Sequence, residues 1–180
     1  MKKSLLFFLL QLFLYSSEIT PLSKSNFLLN GNEIDMFGIN YIVIELTAHN
    51  NGAGNFYAID KDGDLWLSGP ITAGAYGHRT PSGYFPIIYK KRYHMSSKYP
   101  DPYGRNNMDY MMMFTSSGMA LHKGNIKSMS HGCIHIDRKD VSSLFRWVNS
   151  KTKIIITRNI FRKYILQDIV NSGLNLKARY

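Results

Sequence analysis

The segment Leu121-His122-Lys123-Gly124-Asn125-Ile126-Lys127-Ser128-Met129-Ser130-His131-Gly132-Cys133-Ile134-His135 holds the only cysteine of the chain and three of its six histidines. A free thiol has a pKa of about 8.5, so near neutral pH it needs a base to become a nucleophile. An imidazole within reach supplies that base. His122, His131 and His135 all lie within reach in the sequence, and His131 also reads as a neighbour that shapes the loop. Acyl transfer also needs donors for a developing oxyanion. Gly132 lets a carbonyl approach the backbone, and the N–H groups of residues 131–133 can donate to it, with Ser130 supporting the loop.

Two blander readings stand beside this one. His122, His131, Cys133 and His135 could supply four zinc ligands, but their spacing is unlike the paired-cysteine or HxxxH patterns of zinc sites. A lone cysteine is otherwise a buried, inert side chain. The Ser-His-Gly before Cys133 and the His-ended strand upstream turn the balance toward catalysis. His49, His78 and His94 have no evident partner and read as surface residues.

The elements that must hold these groups are mostly strands. Tyr41–Leu46 is rich in β-branched residues, and Phe56–Asp60 and Leu65–Ser68 flank Lys61-Asp62-Gly63-Asp64, where Asp-Gly supplies the positive φ of a hairpin. Tyr84–Lys90 reads as one strand after the turn Thr80-Pro81-Ser82-Gly83. Tyr110–Phe114 and Gly118–His122 read as two more, with Tyr110 and Phe114 either lining a cleft or packing in the core. Met111-Met112-Met113 reads as adaptable packing. Val141, Leu144, Phe145 and Val148 fall on one helical face within Arg138–Asn149. Lys153–Thr157 reads as a buried strand, and an amphipathic helix follows from Arg158 to a turn at Asn171-Ser172-Gly173.

At 180 residues the chain is long enough for one domain with a real core. Apolar residues make up 44% and charged residues 19%, an ordinary globular composition. The formal charge of +10 is scattered, with its densest runs at Lys90-Lys91-Arg92 and at Arg158, Arg162 and Lys163. No basic stripe interleaved with aromatics appears, so no nucleic-acid partner is expected. At the start, Lys2 and Lys3 precede an apolar run from Leu5 to Leu14, and small residues follow. This reads as a secretory signal over residues 1–17, too short for a transmembrane helix of about 20 residues. No stable membrane span is expected after its removal, and the protein is expected in the periplasm or cell envelope. An uncleaved anchor is the alternative.

Ser130-His131-Gly132-Cys133-Ile134 resembles the SHGC[IV] signature of the L,D-transpeptidase (YkuD-type) catalytic domain. Ala120-Leu121-His122 resembles the strand that carries that family's catalytic histidine. Thr80-Pro81-Ser82-Gly83-Tyr84-Phe85 resembles its TP-[TS]-G-x-F turn, and residues 137–156 resemble the helix and strand after the nucleophile. The resemblance implies a mainly β fold with α, a mixed β-sandwich with one main helix after the nucleophile and a C-terminal helical tail. It divides the chain into a catalytic domain over 38–157 and a basic helical extension over 158–180. It also implies an exported cysteine acyltransferase working on peptidoglycan stem peptides through a thioacyl-enzyme. Cys133 is then the nucleophile and His122 the base, its imidazole held by a backbone carbonyl near Lys123, with no metal or organic cofactor. His135, Tyr110 and Lys123 become possible substrate contacts. Water as acceptor would make the same site a carboxypeptidase or wall amidase, and an inactive domain would be a wall-binding module. The chain departs from the family at His135, where Arg or Asn is usual, and at Lys123-Gly124, where many members have Gly-Thr-Asn. Only eight residues separate His122 from His131.

Overall fold

The computed structural model describes residues 18–47, 52–104 and 106–171. The leader, His49 and residues 172–180 lie outside the described residues.

The described chain opens with three short strands, β1 (Ile19–Pro21), β2 (Asn26–Leu29) and β3 (Asn32–Asp35), paired as an antiparallel meander. None was legible in the sequence, because each is three or four residues long and β3 is largely exposed. A second meander follows, β4 (Tyr41–Leu46), β5 (Ala53–Ile59) and β6 (Leu65–Thr72). Gly63 turns the β5–β6 hairpin with φ +86°, as Asp-Gly foretells. Then come β7 (Gly83–Pro86), β8 (Tyr89–Lys91), β9 (Met111–Met113), β10 (Ala120–Lys123) and β11 (Ile134–Ile136). Helix α1 (Arg138–Trp147), strand β12 (Lys153–Thr157) and helix α2 (Arg162–Asn171) complete it.

Nine strands form one sheet in the order β7-β12-β4-β5-β6-β11-β10-β9-β8. Its two ends, β7 and β8, are separated in the chain by Ile87 and Ile88 alone, so the sheet must curl upon itself. This corrects the single strand expected over Tyr84–Lys90. Period-2 patterning there is real, but β7 pairs with β12 while β8 pairs with β9 across the fold. Pro86 ends the first pairing, and Ile87 turns inward to be buried.

Alternation along β4 divides the interior. Ile42, Ile44 and Leu46 enter a core inside the curl, closed by Val141, Leu144 and Val148 of the α1 segment. Tyr41 and Val43 face the opposite way, into a second core with Ile19, Phe27, Met36, Phe161 and Ile165. A strand covered on both faces reads as a continuous apolar run, as β4 and β12 both do. The first meander and α2 are therefore the lid of the second core. Met111, Met112 and Phe114 are buried, and Phe114 packs its ring edge-on to Phe85 at 5.3 Å, so it belongs to the core rather than to a cleft.

Each helix is capped by a distant or adjacent side chain. Asp137 accepts from the Lys139 amide at the start of α1. At its far end the Lys90 ammonium donates to the carbonyls of Phe145, at 2.5 Å, and Val148. The Glu45 carboxylate accepts from the amides of Phe161 at 2.7 Å and Arg162 at 2.6 Å, which places negative charge at the start of α2. Among the described residues no helix is long and apolar enough to cross a membrane.

Candidate active site

Strands β10 and β11 run parallel, with Leu121 opposite Ile134, His122 opposite His135 and Lys123 opposite Ile136. Side chains alternate between faces. Leu121, Ile134 and Ile136 therefore fill the inner core, while His122 and His135 share the other face. Cys133 immediately precedes β11 and falls on the face of His135, diagonal to His122. It sits half-buried against Met108, Met111, Met113 and Ala120. A thiol and an imidazole from separate segments are thus placed on one face because a parallel pairing brings their strands into register.

The electrostatics define the resting state. His122 is 5% exposed, and its Nδ1 lies 2.8 Å from the Lys123 carbonyl oxygen. A carbonyl only accepts, so Nδ1 carries the proton and Nε2 keeps its lone pair. Burial above all, and then His135, lower the His122 pKa to about 4, against the opposing effect of the Lys123 hydrogen bond. Burial pushes the Cys133 thiol up, while a hydrogen bond from the Ala120 backbone and the charge of Lys98 pull the other way. At neutral pH His122 is therefore a neutral imidazole and Cys133 a thiol.

The turn before Cys133 is built from small polar residues. Ser130 is buried; its Oγ donates to the Cys133 carbonyl at 2.5 Å and accepts from the Gly132 amide at 3.0 Å. The Gly132 N–H is thereby occupied. Among the described residues no acceptor meets the Cys133 N–H. Gly132 has φ +114°, a conformation that other residues avoid, and the Met119 side chain fills the place a Cβ would take. Thr80, not expected as a site residue, ties this turn down. Its hydroxyl donates to the Gly132 carbonyl at 2.9 Å and accepts from the Gly74 amide at 3.0 Å, with Thr80 only 1% exposed. The Thr-Pro-Ser-Gly run signalled a turn; nothing local signalled that its threonine spans two other loops.

Two departures noted in the sequence prove to be one arrangement. A Cβ on Gly124 would lie 2.4 Å from Cγ of His135, so the imidazole occupies the space over the glycine. Nδ1 of His135 is 2.9 Å from the Ser128 carbonyl and 3.2 Å from that of Asn125, which fixes a proton there too. Its ring meets that of His122 edge-on at 5.0 Å.

His131 goes elsewhere. Its exposed ring stacks on Tyr99 at 4.5 Å and meets His78 edge-on at 4.7 Å. His78 thus has a partner that its sequence did not suggest. His94 is half-buried, and burial and Lys91 lower its pKa. Because His131 turns away, the four-ligand zinc set is not assembled. Among the described residues no three His, Cys, Asp or Glu side chains gather as for a metal ion. Tyr110 packs edge-on to Phe145 at 5.8 Å and hydrogen bonds Arg92 at 2.6 Å. The Lys123 ammonium is 3.4 Å from Asp109.

Residues 39–156, well over half of the chain, match the L,D-transpeptidase catalytic domain family (YkuD). This chain belongs to that family. The L,D-transpeptidase domain also shares its fold with solved structures. An L,D-transpeptidase from Stackebrandtia nassauensis superposes with a TM-score of 0.55 at 21% identity, over 67% of this chain and 56% of that one. One from Mycobacterium smegmatis gives 0.54 at 18%, over 73% and 65%. The catalytic domain of the Enterococcus faecium L,D-transpeptidase gives 0.50 at 23%, over 67% and 98%. The chain spans about half to two-thirds of the length of the first-matched L,D-transpeptidases. No curated protein matches its sequence.

Proposed function

We propose that this protein is an exported cysteine acyltransferase that rearranges peptidoglycan stem peptides, cross-linking them or anchoring protein to them. The observation that carries the reading is the Cys133–His122 pair on one face of β10–β11, its imidazole neutral and held through Nδ1. Nε2 of His122 takes the thiol proton as Sγ attacks the carbonyl between the L-centre of a diamino acid and a terminal D-Ala. The Cys133 N–H receives the oxyanion. As the C–N bond breaks, the same proton passes to the departing D-Ala amine, leaving a thioester. An acceptor amine then attacks the thioester; His122 takes the amine proton and returns it to the thiolate, so an amide forms and the enzyme is restored.

Serine 130, Gly132 and Thr80 hold the turn, and His135 flanks the base. Export rests on the leader read in residues 1–17. The test is the intact mass of the mature protein after incubation with a carbapenem, beside Cys133→Ala. The family's thiol is typically acylated by such compounds. A stable adduct on the wild type alone is expected. A folded wild type that gains no mass would sink the acyltransferase reading and favour an inactive wall-binding domain. A stem tetrapeptide with an added amine then separates cross-linking from hydrolysis by the mass of the product.

A further inference from the structure

A small cleft of about 70 Å³ opens beside the nucleophile turn, lined among others by Thr47, Gly74, Tyr76, Arg79, Thr80 and Arg158. Arg158 follows β12 and reaches back beneath the turn into β7. Its Nη2 donates to the Thr80 carbonyl at 2.8 Å, and its Nη1 donates to the Ser82 hydroxyl. A guanidinium has five N–H donors, so the fork is only partly used. Arg79 lines the same cleft with an exposed side chain, its guanidinium carbon 5.5 Å from the Tyr76 ring centroid. Among the described residues neither arginine has a carboxylate within ion-pair distance. Burial above all, and then the charge of Arg79, pull the Arg158 pKa down.

The cleft wall and the nucleophile turn touch. Thr80, whose carbonyl binds Arg158, donates its hydroxyl to the carbonyl of Gly132, the residue before Cys133. A Cβ on Gly74 would lie 3.0 Å from the Gly132 Cα. An anion bound here would lie next to the turn that carries Cys133. Arg forks match a flat carboxylate with two parallel hydrogen bonds.

We propose that Arg158 and Arg79 bind a carboxylate of the stem peptide in this cleft and so set which peptides react. This rests on the proposed function for the identity of the peptide, while the binding of a carboxylate can be tested without turnover. The arginine side-chain N–H signals of the full chain are followed by NMR during titration with N-acetyl-D-alanine, its primary amide and inorganic phosphate. The acid is expected to shift the Arg158 signal saturably, the amide to leave it unmoved, and Arg79→Gln to weaken the acid at least tenfold. An unmoved signal, an equal response to the amide, or unchanged affinity in Arg79→Gln would overturn the proposal. Phosphate binding tighter than the carboxylate would overturn it as well and assign the cleft to a phosphate-bearing wall polymer. Arg158→Lys, which keeps the charge but loses the fork, should bind the acid more weakly than wild type. Failure to turn over any stem peptide, with carboxylate binding intact, would count against the proposed function alone.

Discussion

The proposed chemistry turns on where one proton sits. His122 is buried as the neutral imidazole with a pKa lowered to about 4, so its base form persists well below neutral pH. Carbapenem acylation by the wild type should hold its rate as pH falls from 7 to 5 and decline only near pH 4, as His122 takes a proton. His122→Gln should lower the rate by about 10²–10⁴-fold, the range of a general base. The same burial ties stability to pH. The unfolded chain protonates this histidine near 6.5 while the folded one does not, so acid adds protons to the unfolded state first. Stability should fall as pH drops from 6.5 toward 4, by up to about 3 kcal/mol from this group. Denaturant titrations of wild type and His122→Gln at pH 7 and 5 read it; an equal loss in the variant would deny His122 that role. His135 adds to the lowering of the His122 pKa. Its face of the sheet is shared by His122 and Cys133; Lys123 and His94 also act on His122, and Gly124, Asn125 and Ser128 pack against its ring. His135→Asn should move the acid limb of the acylation profile upward in pH. A purely structural role would instead lower the rate at every pH without moving the limb.

At the scale of elements, the sheet register and the helix caps hold the site steady. Helix α1 follows β11 directly and presses Val141 and Leu144 into the inner core behind that strand. Its last carbonyls are met by the Lys90 ammonium, whose stem also lies over the Phe145 ring at 4.6 Å. Positive charge at a helix C-terminus is favourable, and this one is partly buried. Lys90→Met should keep the packing, lose the charge and cost about 1–2 kcal/mol in thermal or denaturant unfolding. A loss below a few tenths would mean that solvent serves those carbonyls equally well.

For the molecule as a whole, the first meander and α2 matter most, although both lie outside the segment that matches the family. Phe161 stacks on Phe27 at 5.8 Å and tilts against Tyr57 at 5.5 Å, closing the second core. Phe161→Ala should destabilise the protein by about 3–5 kcal/mol, the usual cost of emptying a buried aromatic site. Because that core lies across β4 from the inner one, the folded variant should acylate at close to the wild-type rate. A large rate loss in folded Phe161→Ala would show instead that the two cores are coupled. The curl of the sheet explains the separation: β10 and β11 lie on the side of β6 away from β4 and β12, which carry the second core.

What the sequence determined by itself is local. The candidate site of Cys133, His122 and the Ser-His-Gly approach stood out because nucleophile chemistry restricts residue type and spacing. β4, α1 and β12 were legible because each carries a strong period or a continuous apolar run over five or more residues. The short strands β1–β3 carry no such signal and exist because the second core needs a cover. Long-range bonds seal it, such as the Thr157 hydroxyl donating to the Ile19 carbonyl at 2.7 Å. The break between β7 and β8 is likewise invisible locally, since it arises from pairing partners at opposite ends of the sheet. Tertiary structure alone turned His131 onto Tyr99, made Gly124 and His135 a single fitted unit and set Thr80 across two loops. Propensity and periodicity report what a residue does with its near neighbours. These features depend on contacts between segments tens of residues apart, which only the closed fold brings together.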